Sequence, residues 1–146
     1  MNLNFSDEQQ MLRDQVQKFC ESDYSFNKRE EILKSDLGYD ADLWKLFSEL
    51  GWLSLPFSEE NGGFGYGPIE LSVLFEEFGK VLIVEPYLST IVLAGSVLDK
   101  SNYDGRTDLI ESMTSGVSHI SLAYLEEGSK NSPAFANTSL TSSDNG

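Results

Sequence analysis

The spacing of apolar residues changes once along this chain, and that change most constrains the fold. Up to about residue 116, apolar side chains recur at i, i+3, i+4 and i+7, which is typical of helices that bury one face. From residue 119 to 124 they alternate with other side chains, which is typical of a strand. We therefore predict a mainly α fold. An up-and-down helical domain spans residues 1–116, and residues 117–146 begin an incomplete β domain with its first strand or strands.

Local signals predict where the helices begin. Ser6 followed by Gln9 has the form of a capping box ahead of the first apolar stripe. Asp42 is interpreted as the cap of a second helix, because an apolar face follows it. The polar segment 21–40 is predicted to be helix ends and loop. Further helical faces are formed by residues 71–78, 88–98 and 108–113.

A glycine-rich loop separates two of the predicted helices. Gly62, Gly63, Gly65 and Gly67 permit a sharp reversal, and Pro68 suits the first turn of the next helix. A P-loop would need Gly-Lys-Ser/Thr after its glycines, and a dinucleotide fingerprint would follow a strand. This loop has neither feature, so we interpret it as a turn.

The net charge of −14 limits what the chain binds. Such a surface repels phosphate backbones, so we expect no nucleic acid as partner. Phosphates of a nucleotide cofactor would find most of their contacts elsewhere. The alternative is that an acidic surface keeps the protein in solution. We expect no membrane span and no secretory signal. The single cysteine, Cys20, is interpreted as a buried apolar residue, which is compatible with a cytoplasmic protein.

The residues alone predict neither a catalytic group nor a metal site. Glu76 and Glu77 are adjacent, so on a helix they project about 100° apart and do not face one substrate. His119 is the single histidine, which leaves no histidine cluster for a metal. We interpret it as structural.

Three motifs in order resemble the N-terminal helical domain of acyl-CoA dehydrogenases. They are Trp-Lys-Leu-Phe-Ser-Glu-Leu-Gly-Trp at 44–52, Glu-Glu-Asn-Gly-Gly-Phe-Gly-Tyr-Gly at 59–67 and Phe-Glu-Glu-Phe-Gly-Lys at 75–80. The segment 84–90 (Val-Glu-Pro-Tyr-Leu-Ser-Thr) is similar to the branch with pimeloyl-type and steroid side-chain dehydrogenase subunits, some of them heteromeric.

The resemblance implies an FAD enzyme that oxidises acyl-CoA thioesters to the 2,3-enoyl form. In that family a glutamate, in most members in a C-terminal helical bundle, removes the α-proton, and the flavin N5 takes the β-hydride. The chain would hold the helical domain and the start of the middle β domain, without the base. FAD is expected in the complete protein and not in this chain alone. Acyl-CoA would be the substrate, and a homo- or hetero-oligomer the assembly.

The resemblance also implies site residues. The segment 122–129 is similar to the family's flavin-lining strand, so the expected cofactor-binding residues are Leu122, Tyr124, Leu125, Gly128 and Ser129. The acyl pocket of the family runs beside the helix that begins near Tyr87. The residues expected on its wall are Leu88, Thr90, Ile91 and Val92; the alternative is that they pack the helical core.

Departures from the family pattern leave a second function open. Leu125 replaces a hydroxyl residue, Glu127 a proline and Lys130 an acid. In this alternative the chain is a non-catalytic helical partner module, either a degenerate subunit or a truncated gene product. The last residues, Asp-Asn-Gly at 144–146, are a hairpin-turn signal with no strand after it, which favours the front part of a larger protein.

Overall fold

The chain folds into helices joined by short turns. The computed structural model describes residues 4–128, 132, 136–139 and 141. Two 3₁₀ turns, Trp52–Ser54 and Glu59–Asn61, lie between the third and fourth α-helices. The predicted mainly α fold is confirmed. Its helices are α1 (Asp7–Ser22), α2 (Phe26–Lys34), α3 (Ala41–Glu49), α4 (Pro68–Val81), a π-helix (Leu88–Ala94), α5 (Gly95–Asp99) and α6 (Arg106–Thr114).

Side-chain caps begin α1 and α3. The Ser6 hydroxyl accepts a hydrogen bond from the Gln9 amide, and the Ser6 amide donates to the Gln9 side chain, so the predicted capping box is confirmed. The predicted cap of α3 is wrong by two residues. Asp40, not Asp42, accepts from the backbone amides at the start of α3. Asp42 lies in the first turn, where the helix dipole favours its charge.

The polar segment 21–40 contains a helix that we predicted as loop. Ser25 caps α2 by accepting a hydrogen bond from the Lys28 amide. α2 buries Ile32 alone, so almost no apolar periodicity marks it in the sequence. The Arg29 Nε donates to the Leu82 carbonyl at 2.8 Å, which ties α2 to the residue after α4. Tertiary contacts therefore hold a helix that the sequence pattern does not reveal.

Aromatic rings form the centre of the helical domain. The Phe47 ring centroid lies 5.3 Å from that of Phe19, 5.0 Å from that of Trp52 and 5.4 Å from that of Phe78. The four rings come from α1, α3, the first 3₁₀ turn and α4, and none is more than 4% exposed. Burial of one such phenylalanine ring contributes roughly 1.5–3 kcal/mol. Motif residues Trp52 and Phe78 are therefore core residues.

One charged side chain lies inside this core. The Glu77 side chain, on α4, is 1% exposed and accepts hydrogen bonds from the Arg13 Nε at 3.1 Å and from the Lys80 Nζ at 2.6 and 2.8 Å. Burial alone would raise the pKa of Glu77, but the hydrogen bonds from Lys80 and Arg13 outweigh it, so the pKa is lowered. Because Arg13 belongs to α1, this carboxylate joins α1 to α4.

The glycine-rich loop is a turn held by polar contacts. The Asp99 carboxylate accepts hydrogen bonds from the Ser58 amide at 3.2 Å, the Ser58 hydroxyl at 2.8 Å and the Asn61 side chain at 2.9 Å. A Cβ added at Gly63 would lie 2.1 Å from the Phe57 carbonyl oxygen. Glycine is therefore required at residue 63 for close backbone approach, and no ligand is needed to explain it.

The strand predicted after α6 stays a prediction. The chain leaves α6 through Gly116 at φ 77°. Among the described residues after that point no strand is assigned. Alternation of apolar side chains makes a ladder only when a second strand is present to pair with. The hairpin turn expected at 144–146 lies outside the described residues.

We predict that Glu77→Gln lowers the free energy of unfolding by roughly 1–3 kcal/mol, because it weakens hydrogen bonds between charged groups. Denaturant unfolding at neutral pH measures this. The lowered pKa adds a pH dependence. The stabilisation by the Glu77 carboxylate is complete above its ordinary pKa of 4.5 and is lost as the pH falls through the folded-state pKa. The stability of the variant does not show this decrease.

Glu76→Gln is the matched control for that variant. The Glu76 side chain is 50% exposed and pairs with the same arginine, Arg13. Exposed ion pairs contribute at most about 1 kcal/mol. Equal losses of stability in the two variants would contradict a structural role for burial of Glu77.

Candidate functional site

The four residues predicted on the acyl-pocket wall all lie on the π-helix. Leu88 is 53% exposed, whereas Thr90 and Ile91 are at most 1% exposed. Val92 is partly buried against the core. π-helical turns are rare in proteins, and those that occur often lie at functional sites. The helix thus presents Leu88 at the surface and directs Thr90 and Ile91 into the domain.

Leu88 borders an apolar cavity of about 330 Å³. The cavity lies where the end of α4 meets the start of the π-helix, and Phe75 and Ile83 contribute to its lining. The Tyr87 ring packs against Phe75 at 5.7 Å, and its hydroxyl donates to the Trp52 carbonyl at 2.8 Å. Concave, mostly apolar cavities from about 300 Å³ upward are typical ligand sites. This cavity is large enough for part of an apolar ligand.

Glu85 is a residue of this cavity that the sequence analysis missed. It is 5% exposed, lines the cavity, and neither of its carboxyl oxygens has a hydrogen bond of ordinary geometry. Burial raises the pKa of Glu85, and neighbouring backbone amides and the Tyr24 hydroxyl offset this in part. The available signal was a single acid within the apolar run at 81–88.

A second buried polar group near the start of the π-helix lacks a partner. The Thr90 hydroxyl is buried without a hydrogen bond. The Tyr24 hydroxyl, by contrast, accepts a hydrogen bond from the Val84 amide at 3.1 Å, and burial raises the pKa of Tyr24. Buried polar groups without partners are uncommon in native proteins and call for an explanation. Glu85 and Thr90 flank the turn that positions Leu88.

The residues predicted to face the flavin form a separate, exposed segment. Leu122, Tyr124 and Leu125 are 38%, 41% and 58% exposed. Gly128 has a left-handed backbone at φ 85°. None of these four residues belongs to the described lining of the cavity beside Leu88. Ser129 lies outside the described residues.

His119 packs on two aromatic rings just before that segment. Its ring centroid lies 4.9 Å from that of Trp44, at an interplanar angle of 30°, and 4.7 Å from that of Tyr39. Burial of the inner side lowers the pKa of His119, while the outer side is exposed. The structure therefore gives this histidine the structural contacts that the sequence analysis expected.

The glycine-rich loop forms one wall of an apolar groove. The groove has a volume of about 380 Å³, and its lining combines Phe64 and Tyr66 of the loop with Met11 and Leu12 of α1. Met11 and Phe64 are 71% and 53% exposed. Aromatic side chains, rather than a phosphate-binding backbone, are thus what this loop presents to its surroundings.

Two kinds of site are absent from the described part of the chain. In those residues no group of three histidine, cysteine, aspartate or glutamate side chains is arranged to hold a metal ion. Over the same ranges, no helix has both the length and the apolar character that crossing a bilayer demands.

The sequence profile of the acyl-CoA dehydrogenase N-terminal domain matches residues 6–116. This match covers most of the chain and coincides with the helices that surround the aromatic core. The chain therefore belongs to the acyl-CoA dehydrogenase family.

Similar proteins of bacteria agree with this assignment. The chain is 34% identical over 112 residues to the acyl-CoA dehydrogenase IpdE2 of Mycolicibacterium smegmatis, covering 76% of this chain and 35% of that protein. It is 28% identical over 125 residues to IpdE2 of Mycobacterium tuberculosis, covering 84% of this chain and 39% of that protein. The chain thus spans little more than a third of the length of these curated relatives.

Solved structures show the same helical fold. The ChsE4-ChsE5 complex from Mycobacterium tuberculosis superposes with a TM-score of 0.74 at 24% identity, over 83% of this chain and 34% of the matched chain. The Tcur3481-Tcur3483 steroid acyl-CoA dehydrogenase G363A variant gives the same TM-score of 0.74, over 84% of this chain. Both matches leave about two thirds of the solved chain without a counterpart here.

The Glu85→Gln variant tests the protonation of the buried acid beside the cavity. Because the folded-state pKa of Glu85 is raised, the folded protein holds this proton more tightly than the unfolded chain does. The contribution of Glu85 to wild-type stability therefore falls as the pH rises from the ordinary value of 4.5 through the raised pKa. We expect the variant to gain stability relative to wild type over that rise, measured by thermal unfolding in a pH series.

Glu127→Gln is the control, because Glu127 is exposed. Its melting temperature is expected to stay close to that of wild type. A Glu85→Gln variant that parallels wild type at every pH would show that the buried acid does not titrate differently in the folded state.

Proposed function

We propose that this chain is part of a flavin-dependent acyl-CoA dehydrogenase that oxidises an acyl-CoA thioester to the 2,3-enoyl-CoA. The observation that carries the proposal is the family match over residues 6–116 on a matching helical fold. The expected substrates are acyl-CoA thioesters of fatty-acid or steroid side-chain metabolism. One of the similar solved structures is a steroid acyl-CoA dehydrogenase variant, which supports the second class.

The proposed organisation divides the chain at residue 116. Residues 1–116 form the N-terminal helical domain, and residues 117–146 begin the middle β domain. The end of the matched profile at residue 116 supports this division. Most members of the family carry the catalytic base in a C-terminal bundle. We therefore propose that the base lies outside these 146 residues.

The segment after α6 fits the flavin ring better than it fits the phosphates of FAD. Leu122, Tyr124 and Leu125 offer partly exposed apolar surface to a flat ring, and Gly128 permits close backbone approach. The net charge of −14 disfavours a diphosphate. We therefore propose these residues, with Ser129, as contacts of the ring. FAD, when bound, supplies the acceptor for the β-hydride at N5.

The π-helix is the proposed wall of the acyl pocket in this chain. Leu88 is its best candidate contact, because it is exposed and borders the apolar cavity. Thr90, Ile91 and Val92 are proposed to support that wall from behind, which agrees with their burial. The protein's contribution here is to exclude water and orient the acyl chain, and no proton moves through these residues.

The proposed assembly is an oligomer in the cytoplasm. The matched structure from Mycobacterium tuberculosis is a complex of ChsE4 with ChsE5, which supports a hetero-oligomer over a single chain.

An assay on the purified chain tests whether function needs more than these residues. We expect no FAD to co-purify and no acyl-CoA-dependent dye reduction, because most family members carry the base in a C-terminal bundle and the net charge of −14 disfavours a diphosphate. Turnover above a free-flavin control would overturn this expectation. The reading frame beyond codon 146 is the second test. A β domain and helical bundle encoded there support the enzyme, and an immediate stop codon supports the non-catalytic partner module.

Leu88→Phe tests the acyl wall in the complete enzyme. The larger ring would fill part of the cavity, so kcat/KM is expected to shift toward shorter acyl chains. The melting temperature should change little, because Leu88 is already half exposed. Activity across acyl-CoA substrates of increasing length measures the shift.

Val97→Phe is the matched control. Val97 is 51% exposed on the neighbouring α5 and does not line the cavity beside Leu88. Equal changes in chain-length preference for the two variants, or none in Leu88→Phe, would remove Leu88 from the acyl wall.

A further inference from the structure

The chain that leaves α6 is held against α3 at its first residues. The Ser48 hydroxyl donates to the Thr114 carbonyl at 2.6 Å. A Cβ added at Gly116 would lie 3.6 Å from both the Ser48 Cβ and the Trp44 Cδ1, so the backbone at Gly116 lies directly on α3. The amides of residues 117 and 118 then both donate to the Ser112 carbonyl at 3.0 Å. These contacts close the turn after α6.

His119 makes the next contact with the helical domain. This contact fixes the direction in which the segment after α6 continues. Its ring lies against Trp44 on α3 and against Tyr39 in the turn before α3. Trp44 is 1% exposed and packs on Phe47 at 6.2 Å, so it is a rigid support. A ring that rests on two supports of different orientation cannot rotate freely about either one.

Beyond this contact the segment has little further support from the helical domain. Ile120 packs against the core, and it is the last hydrophobic residue along the described chain that does so. Residues 121–125 are exposed. If fully extended at about 3.3 Å per residue, the stretch from Ile120 to Tyr124 would span roughly 13 Å. A small rotation of the backbone where His119 and Ile120 pack would therefore move Tyr124 by a few ångströms.

We infer that His119 is a positioning residue, whose packing on Trp44 and Tyr39 sets where Leu122 and Tyr124 stand relative to the helical domain. The consequence for the flavin rests on the proposed function. His119 acts through its ring faces and transfers no proton in this role. Since its outer side is exposed, the contact contributes more to the direction of the segment than to overall stability.

Distance measurements on the purified chain test the positioning directly. Nitroxide labels are attached at Glu49→Cys on α3 and at Leu125→Cys, and pulsed electron paramagnetic resonance gives the distribution of distances between them. The native Cys20 is buried, and burial raises its pKa to about 11, so it does not compete for the label.

Three further substitutions in that labelled chain decide the outcome. His119→Ala is expected to shift and broaden the distance distribution, because both ring contacts are lost. His119→Phe keeps a ring of similar shape and is expected to restore the narrow distribution. Ser121→Ala, at an exposed residue of the same segment, should match wild type. Circular dichroism and melting temperature should agree among all four chains, which separates positioning from unfolding.

The complete enzyme tests the consequence for the flavin. His119→Ala is expected to change the visible absorption of bound flavin and to lower kcat about tenfold with a smaller change in KM, since misplacement by 1 Å can slow a reaction about a hundredfold. His119→Phe should restore both.

An unchanged distance distribution in His119→Ala, or no rescue by His119→Phe, overturns the inference. If the labelled chain behaves as expected but the complete protein holds no flavin, the proposed function fails and the positioning role of His119 stands.

Discussion

A buried carboxylate determines how α1 and α4 meet. An ionised Glu77 without partners would be strongly unfavourable in the core, and the partner that reaches it from another helix is Arg13. A second contact, from the Cys20 Sγ to the Glu77 carbonyl at 3.7 Å, lies beside it. The relative position of α1 and α4 is thereby fixed. In that position Phe19 on α1 and Phe78 on α4 both pack against Phe47 in the aromatic core.

The sequence reveals the helices that bury broad apolar faces, and for a physical reason it hides the others. α1 is marked twice, by its capping box and by its apolar stripe, and both predictions hold. α2 buries Ile32 alone and is held by tertiary contacts such as that from Arg29, which no local pattern encodes. The π-helix has apolar residues at helical spacing, but its wider hydrogen-bond pattern follows from packing rather than from residue type.

The candidate site was predictable in outline and not in detail. The resemblance predicted the helix at Leu88 as the wall of the pocket. It did not predict that Leu88 is exposed while Thr90 and Ile91 are buried, because burial depends on the whole fold. Glu85 was missed because an acid next to a proline usually lies in a solvated turn. The residues expected at the flavin stay a prediction, since their strand needs pairing partners and the net charge of −14 disfavours the phosphates of the cofactor.

The π-helix has a consequence for how the length of this chain can vary among related proteins. Each of its hydrogen bonds spans one residue more than an α-helical bond does, so the segment holds a surplus residue. Removing one residue between Leu88 and Ala94 would leave an α-helix that continues into α5. The same deletion inside α4 would turn every later side chain by about 100°. A deletion of one residue is therefore tolerated better inside the π-helix than inside α4, because the aromatic core keeps its register.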